Sequence, residues 1–471
     1  MIKKIYEAIT GLPDNIIDEA AGHGAERKGG TGKSRKRINR RYAAVIAAAL
    51  VCCILLGTVV YRVSTSGFKT GSGDMLLLQV NYPKAYSFDN REEAGKIRNQ
   101  NLVEDKFYQA LKNFSYETAC ALMEDGKNLT YSPVSLYYAL AIAAEGAKGS
   151  TRDELMSLLG YGETEKLAIQ CHNLYNLLNK DNEIGKLAIR NSIWIDNDLS
   201  VNNEYVDRLA TQYYTESYYG DFADEKMAKA MAEWIKENTG GMESTQEPDE
   251  EMLLSIINTI YYSDEWIDKF DKKKTAEDDF YLSDGTTIIC DFLNSHYGSH
   301  SFARGEGYTR SSLSLKNNAQ MVFLLPDEGI SIYELVDTPG KLSKCLEEGE
   351  NCYGEVIWQI PKFSNDSELD LKNTLRQLGI EEAFTETADF SGIGNTGNEL
   401  NNPYISTVIQ NTHIEIDEKG VTASAFTQIG YAGAALPTDR ADMILDRPFL
   451  YAVVNSNGVV LFIGICENPV S

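Results

Sequence analysis

Near the C-terminus lies a stretch that fits no ordinary connection between strands. His413–Asp417 alternates apolar and polar side chains as a half-buried strand does. Phe449–Val454 and Val459–Ile465 read as buried strands. Between them, Glu418-Lys419-Gly420 leads into residues 421–437, which hold no charged side chain. That is too long for a hairpin turn and too poor in polar groups for a solvated loop. Val421, Ala423, Ala425 and Thr427 occupy alternate positions, so in an extended chain they share one face. All four are small or β-branched, and that face can enter a sheet without steric conflict. Gly420, with no Cβ, can act as the pivot. The stretch is a loop that is also a strand in waiting, and the rest of the chain must supply a sheet with room for it. The plainer reading is a mobile Ala/Gly surface loop.

The opposite end carries a different constraint. Tyr42 to Tyr61 contains no charge. As a helix rising 1.5 Å per residue it covers about 30 Å, the hydrocarbon thickness of a bilayer, and Tyr at both ends suits the interfaces. Lys33, Arg35, Lys36, Arg37, Arg40 and Arg41 precede it, while only Arg62 and Lys69 follow closely. The positive-inside rule therefore places the N-terminus in the cytoplasm. A buried core helix would show a polar face. A cleaved signal peptide would not have so many residues ahead of its apolar run, nor continue well past Leu50-Val51-Cys52-Cys53. The expected layout is a basic cytoplasmic tail (1–41), a transmembrane helix (42–61), an extracytoplasmic Ser/Gly-containing linker (62–80) and a globular domain (81–471). Residues 62–471 hold 34 Lys/Arg against 64 Asp/Glu, a balance that excludes nucleic-acid binding through phosphates. Gly32-Lys33-Ser34 looks like the end of a phosphate loop, but Arg27 stands where the first Gly is required.

With 43% hydrophobic residues the body can build a real core. Leu102–Asp125 has helical spacing. A short strand follows, then Ser132 as a cap, Pro133 in the first turn and an apolar helix that ends at Gly146 and Gly149. Leu187–Asp196 reads as a strand, Tyr205–Tyr218 and Met227–Asn238 as helices, and Ile256–Tyr262 and Met321–Pro326 as strands. Several blocks recur in a recognisable order. They are Ser132-Pro133-Val134-Ser135, Ile360-Pro361-Lys362-Phe363, Leu378-Gly379-Ile380, Ala388-Asp389-Phe390-Ser391, Glu418-Lys419-Gly420 and Arg447-Pro448-Phe449-Leu450. In order and spacing they resemble the serpins over roughly residues 100–471, here a bacterial-type member with an N-terminal membrane anchor.

The resemblance implies an α+β fold with three β-sheets, a cluster of helices and an exposed reactive-centre loop, preceded by one transmembrane helix. It implies an extracytoplasmic serine protease inhibitor rather than an enzyme, acting as a suicide substrate whose cleaved loop inserts into the central sheet. The hinge is then Glu418, Lys419, Gly420, Val421, Thr422, Ala423, Ser424 and Ala425. The region where the sheet opens includes Ser132, Ser135, Asn258, Trp266 and Gln410. Serpins commonly carry a His at the position of Gln410; Gln both donates and accepts, so a bond to Ser135 is open to it. Counted from Gly420 without gaps as in inhibitory serpins, the resemblance implies a reactive bond at Ala434–Ala435, suited to an elastase-like protease, with Tyr431–Ala432 and a chymotrypsin-like target as runner-up. Two rival roles remain: a non-inhibitory binding or chaperone-like module of the same fold, and a membrane sensor domain. Val421 speaks against the first, since a charge at the first inserting position is what would block entry. No cofactor or metal is expected: the chain has five His and no HExxH or CxxC motif. His296 and His300 read as surface residues. Cys345 and Cys352 are close enough in sequence for a local disulfide, or are a pair of free thiols.

Overall fold

In the computed structural model of the chain, residues 75–395, 403–421 and 439–470 are described. The alternating runs assemble into two large sheets. The first has the order β1 (Leu76–Leu78), β6 (Thr215–Gly220), β4 (Lys186–Asp196), β7 (Leu254–Glu265), β15 (Thr407–Ile416), β13 (Phe363–Asp370), with β3 (Lys180–Asp181) paired to β4 and β16 (Gly420–Val421) to β7. The second runs β17 (Asp439–Ile444), β12 (Glu350–Pro361), β9 (Thr287–Gly305), β10 (Tyr308–Ser314), β11 (Ala319–Pro326), β18 (Phe449–Asn455), β19 (Val460–Cys466), β2 (Leu129–Tyr131), with β8 (Ala276–Tyr281) on β9. A two-stranded ladder of β5 (Ser200–Val201) and β14 (Gly394–Asn395) is the third.

The helices that matter here are α1 (Arg91–Gln100), α2 (Asp105–Leu122), α3 (Pro133–Gly146), α4 (Gly149–Leu159), α5 (Thr164–Leu178), α6 (Asn203–Gln212) and α7 (Glu225–Asn238). Ser132 caps α3 by accepting the Ser135 N–H, and Pro133 occupies its first turn. α3 is apolar on nearly every side and is buried accordingly, between the first sheet and the surrounding helices. α7 is amphipathic: Met227, Met231, Trp234 and Ile235 pack onto Trp194 and Ile257 on the opposite face of the first sheet.

Two boundaries differ from the sequence reading. The helix expected over Tyr205–Tyr218 stops at Gln212, because Tyr214 takes a left-handed φ of 52°. Thr215–Gly220, rich in Thr and Tyr, pairs instead with β4 in parallel. Leu76–Leu78, within the stretch read as linker, pairs with β6 at the sheet edge, and Val80 is buried behind it. Among the described residues no helix is long and apolar enough to cross a membrane; the run Tyr42–Tyr61 lies outside them.

Candidate functional site

β7 and β15 are parallel neighbours at the centre of the first sheet, paired from Ser255–Ile260 to Thr407–Thr412. Beyond these residues β7 runs on to Glu265 and β15 to Ile416, and β16 stands between their ends. Gly420 lies opposite Glu265 and Val421 opposite Asp264, antiparallel to β7. The chain reverses at Asp417: its N–H donates to Gly420 O at 3.1 Å, and its Oδ1 accepts the N–H groups of Lys419 and Gly420 at 2.8 and 3.2 Å. A Cβ on Gly420 would sit 2.2 Å from Asp264 O and 2.7 Å from Glu265 Cα. Its φ is not left-handed, so glycine is needed here for close approach and not for the turn. Val421 is 1% exposed.

Trp266 fastens this turn. It is buried, its backbone N–H donates to Lys419 O at 3.1 Å, and its indole Nε1 donates to Asp417 O at 3.0 Å. Phe270 N–H donates to Glu418 O at 3.0 Å. The Glu418 carboxylate accepts from Thr275 Oγ1 at 2.9 Å and meets Lys362 Nζ at 3.4 Å. Burial alone would raise its pKa, but its own amide, Thr275 and Lys362 outweigh that and hold it below the usual carboxylate range. Across from Val421, burial pushes the Asp264 carboxyl up to about 6, against the pull of the donors from Asn317, Glu265 and Tyr262. Asn317 reaches Asp264 through its backbone N–H at 3.0 Å and its side-chain amide at 3.1 Å.

Under the closed part of the sheet lies a polar cluster. Gln410 forms two bonds with the backbone of Ser132: Ser132 N–H donates to Oε1 at 2.8 Å, and Nε2 donates to Ser132 O at 2.9 Å. The bond to Ser135 that the sequence left open to it is not made. Ser135 Oγ already donates to Asn258 Oδ1, and Asn258 Nδ2 donates to Asn191 Oδ1 at 2.5 Å. The carboxamide instead matches the N–H and C=O of Ser132 at the β2–α3 junction. Sequence reasoning missed Asn191, Asp264 and Asn411. Asn411, next to Gln410 on β15, is fully buried, and neither atom of its amide has a partner among the described residues.

Of the hinge residues, Glu418 to Val421 are in this site. Thr422, Ala423, Ser424 and Ala425 lie outside the described residues, as do Ala434–Ala435 and Tyr431–Ala432. Among the described residues no His, Cys and carboxylate group forms a metal-binding cluster. His296 faces Glu355 at 2.8 Å, and His300 is half-buried, its Nε2 2.9 Å from Ser312 O. Cys345 and Cys352 are free and buried.

One family's sequence model, described as Serpin (serine protease inhibitor), matches residues 109–469. The chain belongs to the serpin family. Serpin-Z7 of Hordeum vulgare is 30% identical over 389 residues, 76% of this chain and 94% of its own. Among solved structures, the thermophilic serpin Tengpin in its native state is similar with a TM-score of 0.70 at 27% identity, covering 82% of this chain and 97% of Tengpin. The Arabidopsis serpin AtSerpin1, in its native stressed conformation, is similar with a TM-score of 0.67 at 25% identity, covering 78% of this chain and 100% of its own. These relatives carry the serpin fold and membership of a family of protease inhibitors, which are not enzymes. They do not carry a bacterial source or a membrane anchor.

Proposed function

We propose that this serpin is a bacterial-type, membrane-tethered inhibitor that traps extracytoplasmic serine proteases by inserting its cleaved loop into the first sheet. The observation that carries this reading is a coincidence of registers. Counting on from Gly420 opposite Glu265, Thr427 would meet Asn258. Counting from the bond that joins Asp417 and Gly420, the same Thr427 would meet Gln410 on the other side. Asn258 and Gln410 are already opposite each other in the closed sheet. A new antiparallel strand therefore fits between β7 and β15 once they part, with no sliding of either. Its alternate residues Val421, Ala423, Ala425 and Thr427 would face the side on which Ile256, Ile260 and Tyr262 are buried. Phe426 would face the opposite side.

Under this reading the protein acts as a suicide substrate. A protease attacks the reactive loop and forms an acyl ester. Cleavage frees the arm from Gly420 to Ala434, which zips in. At roughly 3.3 Å per residue the acylated end travels on the order of 45 Å. The dragged protease loses the placement of its oxyanion donors before water completes hydrolysis. Strand addition of this kind has serpin loop insertion as a standard example. Cleavage at Ala434–Ala435 fits an elastase-like pocket, and Tyr431–Ala432 a chymotrypsin-like one. The run 42–61 would hold the inhibitor at the cell membrane with the body outside.

The test is to mix the protein with an elastase-type protease and run a denaturing gel. A covalent complex heavier than either partner is expected, with mass spectrometry of the released C-terminal peptide giving the bond. Complete loop cleavage with the protease fully active, and no rise in melting temperature of the cleaved product, would sink the proposal. Membrane placement is tested separately by carbonate extraction: the full chain should stay in the pellet.

A further inference from the structure

A groove of about 630 Å³ lies between the segment that begins at Tyr86 and the far end of β7, within the size range of small-molecule sites, roughly 300–1,000 Å³. Its walls come from α1, the start of α2, the end of α5, the β3–β4 hairpin and the turns near residues 318 and 456. Part of this wall, Tyr86 to Tyr108, precedes the family-matched segment at 109–469.

The lining departs from the rest of the body in charge. Arg98, Lys180 and Lys186 line the groove and, among the described residues, no Asp or Glu does, although residues 62–471 hold 34 Lys/Arg against 64 Asp/Glu. Lys180 Nζ donates to Tyr86 OH at 2.5 Å, and Lys186 sits 3.6 Å from Asp181 in a half-exposed pair. Arg98, on the last turn of α1, is exposed, and no ion pair ties it to a described carboxylate. The rest of the lining is uncharged, with Phe88, Ile97, Leu102 and Leu177 among its apolar side chains, Asn101 and Asn182 among its amides, and serines and tyrosines besides. Phe88 is 42% exposed and Leu102 71% exposed. Two large apolar side chains at the rim of a cation-lined groove mark a surface awaiting a partner with an apolar body and a negative end.

We propose that this groove binds a free amphipathic monocarboxylate. The apolar chain or ring lies over Phe88 and Leu102, and the carboxylate is taken by Arg98 and Lys180, the guanidinium offering a two-pronged grip.

The test uses the full chain in lipid nanodiscs, with decanoate carrying a photoreactive diazirine as probe and mass spectrometry to map the labelled peptides. Saturable labelling is expected on residues 86–108 and 177–187. Unlabelled decanoate should compete at least about tenfold better than decanol, the gain expected of one charge-assisted anchor. Arg98→Glu and Leu102→Asp, both at exposed positions, should each lower labelling about tenfold while leaving cleavage of the reactive loop unchanged. Labelling spread evenly over the surface, equal competition by decanol, or unchanged labelling of Arg98→Glu overturns the proposal. So does an unlabelled groove whose peptides crosslink to another part of the chain or to a second copy.

Discussion

Replacing Gly420 with Ala should unseat the hinge. The added Cβ would meet Asp264 O at 2.2 Å and Glu265 Cα at 2.7 Å, both backbone atoms of the central strand β7. That strand is held by β4 along its length and by β15 over half of it, so the hinge must move and not the strand. What is lost is the burial of Val421, about 1.5–3 kcal/mol, and backbone hydrogen bonds worth about 1 kcal/mol each, part of which is recovered in water. A net cost of about 2–4 kcal/mol for the seated state is expected. The readout is hydrogen exchange at Trp266, whose amide donates to Lys419 O. At 1.36 kcal/mol per tenfold, exchange there should quicken about 30- to 1,000-fold. The neighbouring Ile267 amide, bonded to Ser314 O, should keep its protection and serves as the internal control. An unchanged Trp266 amide in Gly420→Ala would refute the reasoning, because a Cβ would then have been accommodated where no space exists.

Three further outcomes are expected. Gln410→Ala removes both bonds to Ser132 and leaves its buried N–H without a partner; urea unfolding should show a loss of about 2–4 kcal/mol, and a loss under 1 kcal/mol would contradict the assignment. Asn411→Leu replaces an amide with no partner among the described residues by an apolar side chain of similar size; it should stabilise the uncleaved protein by about 1–3 kcal/mol in the same assay, and destabilisation would show that the amide is satisfied. The folded pKa of Glu418 is depressed, so its contribution is present above the ordinary carboxylate pKa and is lost as pH falls through the lower folded value. The stability gap between wild type and Glu418→Gln should therefore be full at pH 6 and shrink below about pH 4; a gap independent of pH would refute this account.

Much of this site was legible from residue types alone. Alternation located β4 and the end of β15, a β-rich run located β7, and the small-residue face beginning at Val421 announced a segment able to join a sheet. The Ser-Pro start of α3 was equally plain. What escaped were facts about what lies opposite. Gln410 offers the same donor and acceptor to a hydroxyl or to a peptide, and only the three-dimensional path of the β2–α3 junction decides between them. Leu76–Leu78 looked like linker because three residues beside a Ser/Gly stretch have no period to read; the unpaired edge of β6 makes them a strand. Tyr214 carries no turn signature, and its left-handed backbone follows from the switch into β6. The groove at Arg98 draws on positions from Tyr86 to Leu461 that no sequence window joins.

The seated hinge also bears on speed. Bringing two ends of a flexible chain together carries an entropy penalty before any pairing returns free energy, and growth after the first contact is far easier. Here the reversal at Asp417 and the first rungs at Gly420 and Val421 exist before any peptide bond is cut. Under the proposed cycle a severed arm begins as elongation, without nucleation. The slow event then becomes the parting of six residue pairs between β7 and β15. Whether a protease escapes or is caught would be a race timed by that ladder, and a change in its strength would retune the clock without touching the residues the protease reads.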